Sequence, residues 1–323
     1  MSKKIIEKNS HNLIGKDIIS LDQFSPEEIK EILYTAKKLK PLRDLAKPSK
    51  ILSGKIISLL FYEPSTRTFS SFTSAAQQLG AGIIPIQNAA SSSSVIKGES
   101  LKDTILTLEC FSDIIVLRHP ENGSANEAAA VADIPIINAG DGTNEHPTQT
   151  LLDMYTIFEE TGRLTNLTGV CAGDMLNGRT VKSLIKGLSL FKGNTVYLLS
   201  SEKLRIARRE LHALSASGIK LIEISTEEEI PKNADFWYWT RVQKERFTNL
   251  KEYKKHKNTL VLTPRLIENY AGKKTIFMHP LPRVDEIDVS VDNDPRAVYM
   301  HKQMRNGVYV RMALLALVTG KKV

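Results

Sequence analysis

The chain has 323 residues, of which 41% are hydrophobic and 25% charged, and a net charge of +8. At roughly 150 residues per domain this length suggests about two domains, and the composition excludes wholesale disorder and collagen-like repetition. No apolar run reaches the length of about 18 residues that a membrane-spanning helix needs.

In chain order, the first element is announced by Ser25-Pro26-Glu27-Glu28. Ser25 suits an N-cap, Pro26 the first helical position, and the two glutamates the positive end of the helix dipole. Ile29, Ile32, Leu33 and Ala36 then recur at helical spacing. The apolar run Ile56–Phe61 reads as a buried strand that stops at Glu63-Pro64, with a second helix from near Ser65. Ser91–Ser94 is the one low-complexity stretch and reads as a flexible surface loop. Further strands are predicted at Ile114–Leu117, Ile134–Asn138, Gly169–Ala172, Thr195–Leu199, Leu221–Ser225, Asp235–Trp239, Leu260–Thr263 and Thr275–His279. Helical patterns lie between most of them, including Thr148–Glu160, Thr180–Leu190 and Glu202–Ser215, and the last, Asn306–Leu317, is apolar enough to dock on a core. Strands alternating with helices imply parallel sheets covered on both faces. The fold expected is α/β, with two doubly wound parallel-sheet domains meeting near residues 147–150.

Two cysteines, Cys110 and Cys171, build no disulfide framework and lack zinc-ligand spacing. That usage fits a reducing compartment, and the N-terminal stretch lacks a signal-peptide pattern. A cytoplasmic protein is expected. The basic run Lys251–Lys257 reads as a solvated face, because no helix-turn-helix or aromatic-interleaved basic motif accompanies it. No nucleic-acid or membrane partner is expected.

Ligands in parallel sheets bind beyond the C-terminal ends of strands, so the residues just after each strand carry the functional information. Glu63–Thr68 follows a strand and opens a helix. Free N–H groups, three hydroxyls and the Arg67 guanidinium would cradle an anion; the same residues also suit a plain N-cap beside an exposed arginine. Arg118 follows a second strand. His146 and Gln149 follow the turn Asn138–Gly142, and His146 could polarise a carbonyl or simply enter a helix. In the second half, Gly173–Thr180, Thr240–Arg246 and His279–Arg283 stand at strand ends. The phosphate-loop pattern at Gly173 lacks its Lys-Ser/Thr pair, so a Walker site is not expected. Arg67, Arg118, Arg179 and Arg241 all sit after predicted strands. Their convergence implies a substrate set with several negative charges. With no paired carboxylates at metal spacing and no nucleophile–base order, group transfer by positioning and electrostatics fits best.

Six motifs carry a resemblance: FYEPSTRTFSSF, SSVIKGES, LRHP, HPTQTLLD, GRTVKSL with TRVQKERF, and MHPLPRVDEI. In this order they resemble the aspartate/ornithine transcarbamylase family, over about Gly15 to Val318. The resemblance implies transfer of a carbamoyl group from carbamoyl phosphate to an amine, in the aspartate branch a step of pyrimidine synthesis. It implies a carbamoyl-phosphate domain (residues 1–147), an aspartate domain (148–304) and a C-terminal helix (305–323) returning to the first. It further implies a homotrimer with shared active sites, no cofactor or metal, and room for a separate regulatory chain.

By the same resemblance Ser65, Thr66, Arg67 and Thr68 would grip the phosphate. Thr68, Arg118 and His146 would contact the carbonyl oxygen. Gln149 and the backbone of Leu281 and Pro282 would hold the amino group, and Arg179, Arg241 and Gln243 would bind aspartate. Ser93 and Lys97 would enter a neighbour's site, and Glu63 would lock the domains through Arg179 and Arg246. Ornithine enzymes carry a Cys where this chain has Pro280, and Arg241 would repel a cationic side chain while pairing with a β-carboxylate; an amine such as ornithine is the alternative acceptor. One departure is Leu176-Asn177, where the aspartate enzymes often carry a Lys followed by Tyr or His.

Overall fold

The structure is a computed structural model and describes residues 13–44, 48–92, 94–242, 260–321 and 323. Two parallel sheets organise it. The first has the order β2-β1-β3-β4, built from β1 (Ile56–Phe61), β2 (Gly82–Gln87), β3 (Ile114–His119) and β4 (Ile136–Asp141). The second has the order β7-β6-β5-β8-β9, from β5 (Thr168–Ala172), β6 (Thr195–Leu199), β7 (Lys220–Ile224), β8 (Phe236–Trp239) and β9 (Ile276–Met278). All the pairings are parallel, so each strand returns through a crossover that lays a helix on a sheet face.

The helices in the first half are α1 (Pro26–Leu39), α2 (Thr66–Gln78), α3 (Ala89–Ser92), α4 (Leu101–Glu109), α5 (Ser124–Val131) and α6 (Pro147–Thr161). In the second half they are α7 (Arg179–Ser189), α8 (Arg208–Ala216), α9 (Pro264–Tyr270) and α10 (Lys302–Val318). The start of α1 follows its sequence. Ser25 Oγ accepts from the Glu28 N–H at 3.2 Å and the Glu28 carboxylate accepts from the Ser25 N–H at 2.8 Å, a reciprocal capping box. Ile29, Ile32, Leu33, Ala36 and Leu39 form its buried face. Helix α10 returns from the end of the chain to pack against α1, α2 and α6, so the last residues complete the first half.

Strand β8 is Phe-Trp-Tyr-Trp, buried along its whole length between β5 and β9. Its ring at Phe236 is accommodated by Gly169 on β5, where an added Cβ would lie 2.2 Å from a ring carbon.

Several predicted elements differ. Strand β2 was absent from the sequence reading because Pro85 interrupts it; the strand is an edge strand paired only to β1, where a missing N–H is tolerated. Leu260–Thr263 forms no strand: Leu262 makes one isolated bridge to Ile287, and Thr263 instead caps α9, accepting from the Leu266 N–H at 3.2 Å. Glu202–Ser215 is a 3-10 turn, Glu202–Leu204, followed by α8; the Leu204 carbonyl accepts from Leu176 N–H. The serine stretch is helical rather than a loop where described, in α3 and in the 3-10 turn Ser94–Lys97. Helix α10 begins four residues before the apolar stretch that announced it, because its polar first turn carries the buried Gln303. The run Lys251–Lys257 lies outside the described residues.

Candidate active site

In an open parallel sheet the ligand crevice lies where the strand order reverses. In the first sheet that point is between β1 and β3. Glu63–Thr68 leaves β1 there and starts α2, and Arg118 on β3 pairs in register with Phe61. In the second sheet it is between β5 and β8, where Gly173–Arg179 leaves β5 and Thr240-Arg241 leaves β8. Both crevices open on one cavity of about 580 Å³, walled also by α6, α10 and the His279–Pro282 segment.

On the first side, Ser65, Arg67, Thr68, Arg118, His146 and Gln149 line this cavity; Thr66 is exposed in the first turn of α2 and does not. Ser65 makes no side-chain cap, so the first N–H groups of α2 have no side-chain acceptor from it. Partial burial and the charge of Arg118 both lower the pKa of Arg67, so an anion between the two guanidinium groups relieves their repulsion. Arg118 is fixed by the Glu63 carboxylate at 2.6 Å and donates to the Ala139 carbonyl at 3.1 Å. Gly140 makes room for it: its φ is +117° and a Cβ there would lie 2.9 Å from Arg118 Nη1.

His146 is buried between two hydroxyls, with Nε2 3.5 Å from Thr68 Oγ1 and Nδ1 3.3 Å from Thr148 Oγ1. Burial, then the charges of Arg179, Arg311 and Arg118, hold its pKa well below the ordinary value. The ring is therefore neutral and able to offer one N–H.

Gln149 projects from α6 one turn before Asp153 and donates to its carboxylate at 3.0 Å. Asp153 also accepts from Gln303 Nε2 at 2.7 Å and Tyr238 Oη at 2.8 Å. Burial raises its pKa to about 7 against the pull of these bonds and of Arg311. Gln303 Oε1 in turn accepts from His279 N–H at 3.0 Å. His279 Nδ1 accepts from Leu281 N–H at 2.8 Å, which leaves the proton on Nε2, 2.8 Å from Glu286 Oε1. Leu281 has a positive φ of 54° and the Leu281-Pro282 bond is cis.

On the second side Arg179 opens α7 and reaches across the cavity to donate to the Gly142 carbonyl. Arg241, after β8, also lines the cavity. In the departing dipeptide, Asn177 is held by Asp174, which accepts from its backbone N–H at 2.9 Å, and Leu176 is exposed. Among the described residues no three His, Cys, Asp or Glu side chains cluster as a metal site.

The cavity thus gathers Ser65, Arg67, Thr68, Arg118, His146, Gln149, Arg179, Arg241, Leu281 and Pro282. Lys97 is exposed on its 3-10 turn and does not line it. Ser93, Gln243 and Arg246 lie outside the described residues. Glu63 pairs with Arg118 in place of the expected Arg179. Sequence reasoning missed Asp153, Tyr238, Gln303 and Arg311. Arg311 is buried in α10, donating to Ser71 Oγ at 2.9 Å and Thr148 Oγ1 at 3.3 Å. A single charge inside the apolar run VYVRMALLALV was the available signal.

Two family models match the chain: Aspartate/ornithine carbamoyltransferase, carbamoyl-P binding domain, over residues 16–159, and the Asp/Orn binding domain of the same family over residues 165–318. The chain is 48% identical to an aspartate carbamoyltransferase catalytic subunit of Methanosarcina barkeri, over 95% of this chain and 98% of that one. Among solved structures it is similar to the catalytic subunit of Methanocaldococcus jannaschii aspartate transcarbamoylase, with a TM-score of 0.88 and 46% identity over 94% of this chain and 98% of that chain. It is similar also to aspartate transcarbamoylase from Trypanosoma cruzi in complex with carbamoyl phosphate and aspartate, with a TM-score of 0.86 and 39% identity over 95% and 97% of the two chains.

Proposed function

The chain belongs to the aspartate/ornithine carbamoyltransferase family and transfers a carbamoyl group from carbamoyl phosphate to aspartate, and we propose that it does so with the groups converging on the cavity between its two sheets. The observation that carries this assignment of roles is that both switch-point crevices bear arginines and open on the same space.

In this reading Ser65, Thr66, Arg67 and Thr68 hold the phosphate at the start of α2. Thr68, Arg118 and neutral His146 surround the carbonyl oxygen. Gln149 and the backbone of Leu281 and Pro282 accept from the amino group. Arg179, Arg241 and Gln243 pair with the two carboxylates of aspartate. The neutral α-amine attacks the carbonyl carbon and forms a C–N bond. Negative charge then grows on the carbonyl oxygen, where Arg118 and the N–H or O–H donors beside it are already in place. The C–O bond to phosphate breaks, and the departing phosphate takes the proton from nitrogen, so no protein base is required. Holding both substrates in one cavity supplies much of the acceleration.

The functional unit proposed is a cytoplasmic homotrimer in which Ser93 and Lys97 reach a neighbour's cavity; the exposure of Lys97 away from its own cavity supports this. A regulatory chain would dock elsewhere and is needed for none of these contacts. The pathway is pyrimidine biosynthesis.

The test is a colorimetric assay of carbamoylated product, with L-aspartate and L-ornithine run side by side against carbamoyl phosphate. Product with aspartate alone is expected. Product with ornithine alone would overturn the role of Arg241, and no product with either would overturn the site.

A further inference from the structure

Asp153 does not line the cavity, yet both groups assigned to the substrate's amino group hang from it. It is fully buried on α6. Three donors converge on its carboxylate: Gln149 Nε2 at 3.0 Å, Gln303 Nε2 at 2.7 Å and Tyr238 Oη at 2.8 Å. Both amides donate to the same oxygen, Oδ1, with Tyr238 on Oδ2; Oδ1 accepts whether Oδ2 is protonated or not, so it decides which way each amide faces. The Gln149 nitrogen is turned inward, which leaves its oxygen for the cavity that the residue lines. The Gln303 nitrogen is turned the same way, which leaves its oxygen to hold the His279 N–H at 3.0 Å. His279 then anchors Leu281 N–H at 2.8 Å. One carboxylate therefore fixes the side-chain acceptor directly and the Leu281-Pro282 backbone through a relay of two residues.

The chemistry of the donor substrate shows what this does. A carbamoyl group and an acetyl group have the same planar shape and differ in NH2 against CH3. Only acceptors aimed at the two N–H bonds distinguish them. A flipped Gln149 amide would present a donor to a donor. A site built to accept from a substrate N–H rejects the analogue that lacks it, because its own acceptors are then left without partners. We propose that Asp153 is a positioning residue that sets the selectivity of the phosphate-donor site for a carbamoyl over an acyl group. This rests on the reading of Gln149 as an acceptor for the carbamoyl amine.

The test compares carbamoyl phosphate as substrate with acetyl phosphate as competing inhibitor, expressed as the ratio of the acetyl phosphate inhibition constant to the KM for carbamoyl phosphate. In the parent enzyme this ratio is expected to be large. Gln149 and Gln303 share one oxygen of Asp153, Oδ1, so Asp153→Leu removes the common acceptor and releases both amides to turn. Its ratio should fall about tenfold, the worth of one hydrogen bond between uncharged groups, with the KM for aspartate near normal. A purely structural Asp153 would lower the melting temperature and leave the ratio where it was, since both ligands would weaken together. Gln149→Leu separates the two layers. If Gln149→Leu narrows the ratio and folded Asp153→Leu does not, Asp153 has no positioning role. If Gln149→Leu leaves it unchanged, the reading of Gln149 itself fails, and this inference with it. Should Asp153→Leu fail to fold, Gln303→Leu decides: it cuts the relay to His279 and must also narrow the ratio, and an unchanged ratio overturns the proposal.

Discussion

The two sides of the cavity are held in different ways. On the carbamoyl-phosphate side the polar groups are fixed by the first half of the chain and its returning helix: Arg118 by Glu63 and the Ala139 carbonyl, His146 between Thr68 and Thr148, and Gln149 by Asp153. On the aspartate side Arg179 belongs to α7 in the second half but donates to Gly142, a residue of the first. That bond is to a backbone carbonyl, which an incoming carboxylate would outcompete. One side is preorganised for the charge that develops during reaction. The other depends on how far apart the two halves stand.

This contrast predicts different kinetic signatures. Arg118→Ala removes a fixed donor at the developing oxyanion and leaves the Glu63 carboxylate unpaired. Turnover should fall about a hundred- to a thousandfold, read from initial rates at saturating substrates. Arg179→Ala should instead raise the KM for aspartate by about ten- to a hundredfold, the worth of a charge-assisted bond, while the KM for carbamoyl phosphate stays near normal. If Arg179→Ala lowers turnover as deeply as Arg118→Ala, the division between the two sides does not hold.

The sides are coupled electrostatically through His146. After burial, Arg179 contributes most to keeping its pKa below the ordinary 6.5. The imidazole is neutral in the folded chain, so the unfolded chain binds more protons below that pH, and stability falls as the pH drops through it. Asp153 has the opposite sign. Raised to about 7, its contribution to stability is fully present below the ordinary carboxylate range and is lost as pH rises through about 7. In kinetics, the acid limb that His146 gives to kcat/KM for carbamoyl phosphate should therefore lie well below pH 6.5. Arg179→Gln removes a positive charge and should move that limb to higher pH. A limb that stays in place would mean that the guanidinium is screened from the ring.

The division between sides also explains what the sequence disclosed. Arg67, Arg118, Arg179 and Arg241 were legible because each follows a strand with a clear apolar signature, and the strand-end rule then places them together. The supporting residues were not. Asp153, Gln303 and Arg311 lie on helical patterns where a polar residue ordinarily faces water, and only tertiary packing turns them inward. Tyr238 is one aromatic among four in β8, and its hydroxyl acquires meaning only from Asp153 across the interface. Strand β2 was hidden by a proline that an edge tolerates, and α9 by a threonine that reads as strand until it caps. Local pattern thus shows where chemistry is attached, whereas the groups that orient it are set by contacts distant in sequence.

The smallest effect is expected where the two halves meet at the surface. Lys186 on α7 lies 2.9 Å from Asp22 and 3.1 Å from Glu145. Glu145 precedes His146 and also accepts from Ser20 Oγ at 3.1 Å and Leu21 N–H at 3.0 Å. This clamp ties the helix that bears Arg179 to the residue beside His146, so it bears on the separation of the two sides. Partial burial opposes the charge of Lys186, but Asp22 and Glu145 outweigh it and raise its pKa. Lys186 and Asp22 are nevertheless 37% and 69% exposed, and exposed ion pairs contribute at most about 1 kcal/mol. Glu145 keeps its two other donors when the lysine is gone. Lys186→Met should therefore lower stability by less than about 1 kcal/mol in urea unfolding and raise the KM for aspartate only slightly. About 1 M salt, where the screening length is about 3 Å, should reduce the difference between Lys186→Met and the parent. A tenfold rise in that KM, insensitive to salt, would show that the clamp sets the geometry of the aspartate side as firmly as Glu63 sets Arg118, and the contrast between the two sides would no longer stand.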